Sequence, residues 1–161
     1  MKPNIRIGYG YDVHALAEGV DFWLGGIKVP HTHGAYGHSD ADVLIHVICD
    51  ALLGAASLRD IGFHFSDTDP KYKGIDSKIL LKDVVNLLEQ RGYGIVNIDA
   101  TVCLQRPKIS PYIEPMREKL AEVMQLPLGD VSVKATTTEK LGFVGKEEGV
   151  SAHAVALIYK K

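Results

Sequence analysis

A chain of 161 residues is long enough for one compact domain with a full hydrophobic core. Its apolar fraction of 46% and charged fraction of 24% are ordinary for a globular protein, and a net charge of −2 argues against a surface built for nucleic acid. Two cysteines, Cys49 and Cys103, are too few for a disulfide framework, and no apolar run reaches the roughly 18 residues of a membrane span. Both cysteines sit in apolar runs and read as buried thiols. With no apolar leader in view, the expected location is the cytoplasm, and a processed plastid form would look the same.

Ile5 to His14 reads as a first strand, on which Asp12 and His14 point to one face. A carboxylate and an imidazole so placed can be two ligands of one metal ion, and the open catalytic kind of zinc site needs one more. Asp21 to Val29, with Gly25-Gly26 at its centre, reads as a hairpin, and Val29 to Gly37 carries loop chemistry. Ser39 stands where an N-cap belongs, with Asp42 three positions on as an acidic capping box. Val43, Val47, Ile48, Ala51 and Leu52 follow at helical spacing, which predicts a helix over Ala41 to Ala56.

His46 lies on that helix between Asp42 and Asp50 at i−4 and i+4, and it is the third candidate ligand. Such a stripe also fits a solvent-facing side. The apolar remainder of the helix favours packing, and either aspartate is expected to accept the other ring N–H of a ligating histidine. Gly37-His38-Ser39-Asp40 opens the same helix. It reads either as an anion site of backbone N–H groups with His38 beside it, or as plain capping by Ser39 and Asp40.

From Leu58 to Gly74 the periodicity vanishes, a long loop for a compact domain. Its core, Asp60-Ile61-Gly62-Phe63-His64-Phe65-Ser66-Asp67-Thr68-Asp69-Pro70, is dense in acceptors that suit sugar hydroxyls or a divalent ion, and equally a series of Asx-turns. Ser77 to Arg91 reads as an amphipathic helix ended by Gly92, and Ile95 to Gln105 as an alternating strand. Leu104-Gln105-Arg106-Pro107-Lys108-Ile109 is then either a nucleotide-binding strand end or a basic turn. Pro111 to Gln125 reads as a third helix. Val131 to Thr136 and Val150 to Tyr159 read as closing strands around a loop over Leu141 to Gly149. Lys134-Ala135-Thr136-Thr137-Thr138-Glu139-Lys140-Leu141-Gly142-Phe143 gathers hydroxyls at a strand end and suggests a ligand wall. The order of elements predicts an α+β, single-domain sheet-and-helix layer fold over residues 1–161.

Together these pieces resemble the 2-C-methyl-D-erythritol 2,4-cyclodiphosphate synthase family. The matching blocks are Asp12-Val13-His14, His38-Ser39-Asp40, Asp50-Ala51-Leu52-Leu53-Gly54-Ala55-Ala56, Asp60-Ile61-Gly62, Asp67-Thr68-Asp69-Pro70 and the run Lys134 to Phe143, in family order across nearly the whole chain. The resemblance implies a homotrimer whose sheets face the threefold axis, with active sites between subunits. It implies the substrate 4-diphosphocytidyl-2-C-methyl-D-erythritol 2-phosphate, cyclised with loss of CMP. It further implies a zinc ion on Asp12, His14 and His46, and magnesium or manganese on the substrate diphosphate.

By the same resemblance His38 and Thr137 flank the phosphoryl groups as catalytic residues. Ser39, Asp60, Ile61 and Gly62 meet the methylerythritol or its phosphates, with Phe65, Ser66, Asp67, Thr68 and Asp69 in the loop nearby. Leu104, Gln105, Arg106, Pro107, Lys108, Ile109 and Ser110 form the nucleotide pocket with Thr136, Thr138 and Glu139, and Phe143 and Lys146 stand beside it. Tyr11, Lys146 and His153 stand where many family members carry phenylalanine, arginine and glutamate around a cavity on the threefold axis, which implies an altered cavity here. Phe63, His64 and Ser66 are also unusual for the mobile loop. Two other readings of the residues are a zinc-dependent hydrolase and a non-catalytic trimer that binds cytidine nucleotides.

Overall fold

The computed structural model describes residues 4–161; residues 1–3, counted in the expected 1–161 domain, lie outside the described residues. The strands are β1 (Ile5–Glu18), β2 (Phe22–Leu24), β3 (Ile27–Val29), β4 (His33–Tyr36), β5 (Tyr93–Cys103), β6 (Val131–Thr136) and β7 (Gly149–Lys160). The helices are α1 (Val43–Ala55), α2 (Ile61–His64), α3 (Ser77–Gln90), α4 (Ile113–Met124) and α5 (Gly142–Gly145). Five strands form one sheet in the order β4-β1-β7-β5-β6, antiparallel except for the parallel pair β5 and β6, and β2 with β3 makes a separate hairpin. This is the expected α+β arrangement. One contiguous core joins the inner face of the sheet to α1, α3 and α4.

Alternation along β1 sets the function apart from the packing. Even-numbered residues 8, 10, 12 and 14 face α1, while Ile5, Ile7, Tyr9, Tyr11 and Val13 face away and are exposed. Gly8 and Gly10 let α1 lie against the strand: a Cβ at Gly8 would come within 1.9 Å of the Ala51 carbonyl oxygen, and one at Gly10 within 2.0 Å of that of Val47. On β7 the inward residues include Ala152, Ala154 and Ala156, small enough for the same close approach. Leu44, Ile48 and Leu52 of α1 are completely buried beneath the sheet, each contributing about 1.5–3 kcal/mol relative to exposure.

Several expectations are corrected. β1 runs on to Glu18, and its last residues pair with β4, which lies inside the expected loop Val29 to Gly37. Helix α1 begins at Val43, not Ala41, because Asp42 is its N-cap and accepts from Ile45 N–H at 3.0 Å. Ser39 is therefore not the cap. The segment Leu58 to Gly74 contains α2 and a 3-10 turn over Pro70–Tyr72, and α5 occupies the expected loop Leu141 to Gly149. The third helix starts at Ile113 after a 3-10 turn over Ser110–Tyr112.

Candidate metal centre and its pockets

The closeness of β1 to α1 brings three acceptor atoms together. Asp12 Oδ2 stands 3.1 Å from His14 Nε2 and 3.0 Å from His46 Nδ1, and the two imidazole nitrogens are 3.1 Å apart. These side chains are the group of metal-ligating type that converges among the described residues. Burial would raise the Asp12 carboxyl, but His14 and His46, which donate to it when their rings are imidazolium, outweigh the burial and hold the group well below the ordinary carboxylate range. A near-equilateral triangle of one carboxylate oxygen and two imidazole nitrogens, open on one side, can hold a divalent metal ion.

Behind the triangle lies a second layer that the sequence reading placed on the wrong residues. Neither the Asp42 nor the Asp50 carboxylate bonds to the His46 ring. Asp42 is fully buried and accepts from the backbone N–H groups of Gly25, Gly26 and Ile45, so it ties the β2–β3 turn to the start of α1. Burial raises its carboxyl against those bonds. Asp50 accepts from Ile61 N–H at 2.7 Å and positions α2, and burial raises its carboxyl too. His46 Nε2 instead meets the hydroxyls of Ser39 and Ser77, each at 3.1 Å, and Ser77 in turn bonds to Asp40. Ser77 went unnoticed because it follows Asp76 at the start of α3, where it reads as a second capping residue.

The triangle opens into a cavity of about 430 Å³ lined by His14, His38, Ser39, His46, Ile61, Gly62, Phe65 and Asp67, together with Gly37, Tyr72, Ile75 and Leu80. His38 Nε2 donates to the Asp69 carbonyl at 3.3 Å, which ties that histidine to the following turn. Residues 37–40 lie ahead of the helix rather than at its first turn, because α1 starts at Val43 and Asp42 caps it by accepting from Ile45 N–H. Asp60 precedes α2 without capping it through its side chain, Ser66 and Thr68 bond to each other at 2.8 Å, and Asp69 caps the Pro70–Tyr72 turn. Asp60, Ser66, Thr68 and Asp69 are not among the lining residues.

A second cavity of about 450 Å³ is lined by Leu104, Gln105, Pro107, Lys108, Ile109, Ser110, Ile113, Ala135, Thr136 and Thr137. The strand end Leu104 to Ser110, apart from Arg106, thus meets Thr136 and Thr137 in one hollow. Three expected members, Arg106, Thr138 and Glu139, stand apart from its lining, as do Phe143 and Lys146, which were expected beside it. Arg106 is outside it, paired with Glu147 at 2.9 Å; Thr138 donates to the Leu141 carbonyl at 2.7 Å; Phe143 lies over Gly149; Lys146 ends α5. Glu139 has a left-handed backbone in the turn after β6, and its N–H bonds to the Thr137 hydroxyl at 3.3 Å. His38 and Thr137 therefore line different cavities of one chain.

The sheet's outward face bears Ile5, Ile7, Tyr9, Tyr11, Val13, Val155 and Tyr159, all exposed. Tyr11 is paired with His153 across β1 and β7, with ring centroids 5.0 Å apart, and the Tyr9 hydroxyl lies 2.8 Å from His153 Nδ1. Among the described residues no helix is long and apolar enough to cross a membrane.

A model described as the YgbB family matches residues 5–159. The chain is 61% identical over 158 residues to the 2-C-methyl-D-erythritol 2,4-cyclodiphosphate synthase of Porphyromonas gingivalis strain W83, covering 98% of each. It is 60% identical over 157 residues to the Bacteroides thetaiotaomicron protein of the same name, covering 98% of this chain and 99% of that one. Among solved structures, the bifunctional IspDF from Campylobacter jejuni superposes with a TM-score of 0.94 at 39% identity. That match covers 98% of this chain and 42% of the bifunctional protein, so the chain spans less than half of that protein's length. A 2C-methyl-D-erythritol-2,4-cyclodiphosphate synthase in its CDP-bound form superposes with a TM-score of 0.88 at 38% identity, covering 95% of this chain and 99% of that one.

Proposed function

The chain belongs to the YgbB family, and on that premise we propose that it is an enzyme of the non-mevalonate isoprenoid pathway, converting 4-diphosphocytidyl-2-C-methyl-D-erythritol 2-phosphate to 2-C-methyl-D-erythritol 2,4-cyclodiphosphate and CMP. An oxygen of the 2-phosphate attacks the β-phosphorus, the bond from that phosphorus to the bridging oxygen breaks, and the electron pair leaves with CMP. The observation that carries this reading is the Asp12, His14 and His46 triangle opening into a cavity beside His38 and Ser39.

Zinc suits this ligand set. Atoms bound tetrahedrally at 2.0–2.1 Å lie about 3.3 Å from one another, close to the 3.0–3.1 Å found here, and three protein ligands leave a fourth position open. When bound, zinc would supply positive charge to a substrate phosphate oxygen as a Lewis acid. The remaining work belongs to the chain. The attacking phosphate is already ionised near neutrality, so the residues need to orient it and neutralise charge rather than remove a proton. His38 and Ser39 hold the phosphate end in the first cavity, with Ile61, Gly62, Phe65 and Asp67 against the methylerythritol. Lys108, Thr136 and Thr137 face the diphosphate and cytidine in the second, and magnesium or manganese accompanies the diphosphate.

The two halves belong to one site in a homotrimer whose sheets face the threefold axis, the first cavity of one subunit meeting the second of its neighbour. The exposed apolar row on β1 supports this, because a sheet face of that composition is a face for protein contact. Residues 1–161 act as one domain in the cytoplasm. Incubating the purified protein with the substrate tests the assignment by 31P NMR. Equal amounts of CMP and cyclic diphosphate are expected, abolished by a chelator and restored by zinc with magnesium. A linear phosphate product would instead support the hydrolase, and no turnover the cytidine-binding trimer.

A further inference from the structure

We propose that Ser77 and Asp40 are positioning residues that decide which nitrogen of His46 faces the metal, an inference that rests on the metal reading above. The Asp40 carboxylate has no proton to give, so both of its bonds to Ser77 run one way. Ser77 N–H donates to Asp40 Oδ2 at 3.0 Å, and the Ser77 hydroxyl donates to Oδ1 at 2.5 Å. A hydroxyl carries one proton. With that proton committed to Asp40, Ser77 Oγ can only accept along its 3.1 Å contact with His46 Nε2.

His46 Nε2 must then carry the ring proton, and Nδ1 keeps its lone pair. Nδ1 is the atom that stands 3.0 Å from Asp12 Oδ2 and 3.1 Å from His14 Nε2. Ser39 is compatible with this polarity: its Oγ accepts from Ala41 N–H, lies 3.1 Å from His46 Nε2 and can accept from it as well. Asp42 N–H also reaches Asp40 Oδ1 at 3.2 Å, which steadies the carboxylate at the far end of the relay. Ser77 is completely buried, so water does not compete for its hydroxyl, and a satisfied network in a low dielectric holds its direction. Asp40 thus sets the tautomer of a ligand it never touches.

The test reads His46 directly. In 15N NMR of the metal-free protein at about pH 8, where an ordinary imidazole is neutral, the parent should show the Nε2–H tautomer. Ser77→Ala should populate both tautomers and weaken zinc binding roughly tenfold in competition with a chromogenic chelator. Asp40→Asn should weaken it as well, since an amide oxygen accepts from only one of the two Ser77 donors. Because Asp40 acts through Ser77, adding Asp40→Asn to Ser77→Ala should change the affinity by less than about twofold. A plain structural role would make the two losses additive and leave the tautomer alone. An Nδ1–H parent, or parental zinc affinity and tautomer in Ser77→Ala, overturns the proposal. Zinc retained by His46→Ala would instead sink the metal reading itself, and this inference with it.

Discussion

The two faces of the five-stranded sheet both carry apolar side chains on β1, yet they are built differently. The inner face presents Gly8, Gly10, Ala152, Ala154 and Ala156, and its small side chains draw α1 so close that added methyl groups would strike helix carbonyls. The outer face presents Ile5, Ile7, Tyr9, Tyr11 and Val13, large side chains that none of the described residues covers. Small residues mark a contact already made within the chain. Large exposed ones mark a contact that another molecule makes, which in our account is a second copy. The metal-ligating triangle sits where the inner-face parity of β1 runs past the glycines and meets His46 on α1.

The inner face breaks most completely at its chemistry. Replacing His46 with alanine should remove bound zinc and lower CMP release by roughly 1000-fold or more, while the assembly keeps its mass; metal analysis and sedimentation check both halves. The outer face breaks by charge. Ile7→Glu should leave the monomer folded by circular dichroism but shift its sedimentation from trimer to monomer, with turnover falling alongside. Packing comes next, since Gly10→Ala drives a Cβ into the Val47 carbonyl and should cost about 3 kcal/mol in urea unfolding.

Asp42→Ala should cost about 2 kcal/mol by leaving backbone donors of Gly25, Gly26 and Ile45 unpaired, with zinc binding unchanged. The smallest effect concerns acid. In metal-free protein the Asp12 carboxyl is held low by its two histidines, so its stabilisation is complete above the unfolded value of 3.8 and is lost as pH falls through the folded one. Asp12→Asn should therefore be less stable than the parent at about pH 5, with the gap closing below pH 3.8 in acid unfolding curves.

Much of this was legible in the sequence because it depends on local period. Asp12 and His14 share a face by strand alternation, and the apolar spacing of α1 placed His46 on a packed helix. The threonine run and Leu104 to Ser110 were readable as one hollow through the family resemblance. What escaped depended on contacts distant along the chain. Asp42 and Asp50 looked like neighbours of His46 by helical spacing, but each is claimed by backbone N–H groups of another segment. Ser77 meets His46 across 31 positions, and β4 exists only because β1 extends past His14 to pair with it. Arg106, expected in the nucleotide pocket, pairs with Glu147 across 41 positions.

The sharing of one active site between two copies is tested most directly by mixing. His46→Ala damages only the first cavity and Thr137→Ala only the second, and each variant alone should release little CMP. Co-assembled in equal amounts, trimers with random composition should recover about a quarter of parental turnover, because that fraction of sites joins an intact first cavity to an intact second one. Co-assembled trimers no more active than the mean of the two variants would contradict the account, placing both halves of the site within a single chain.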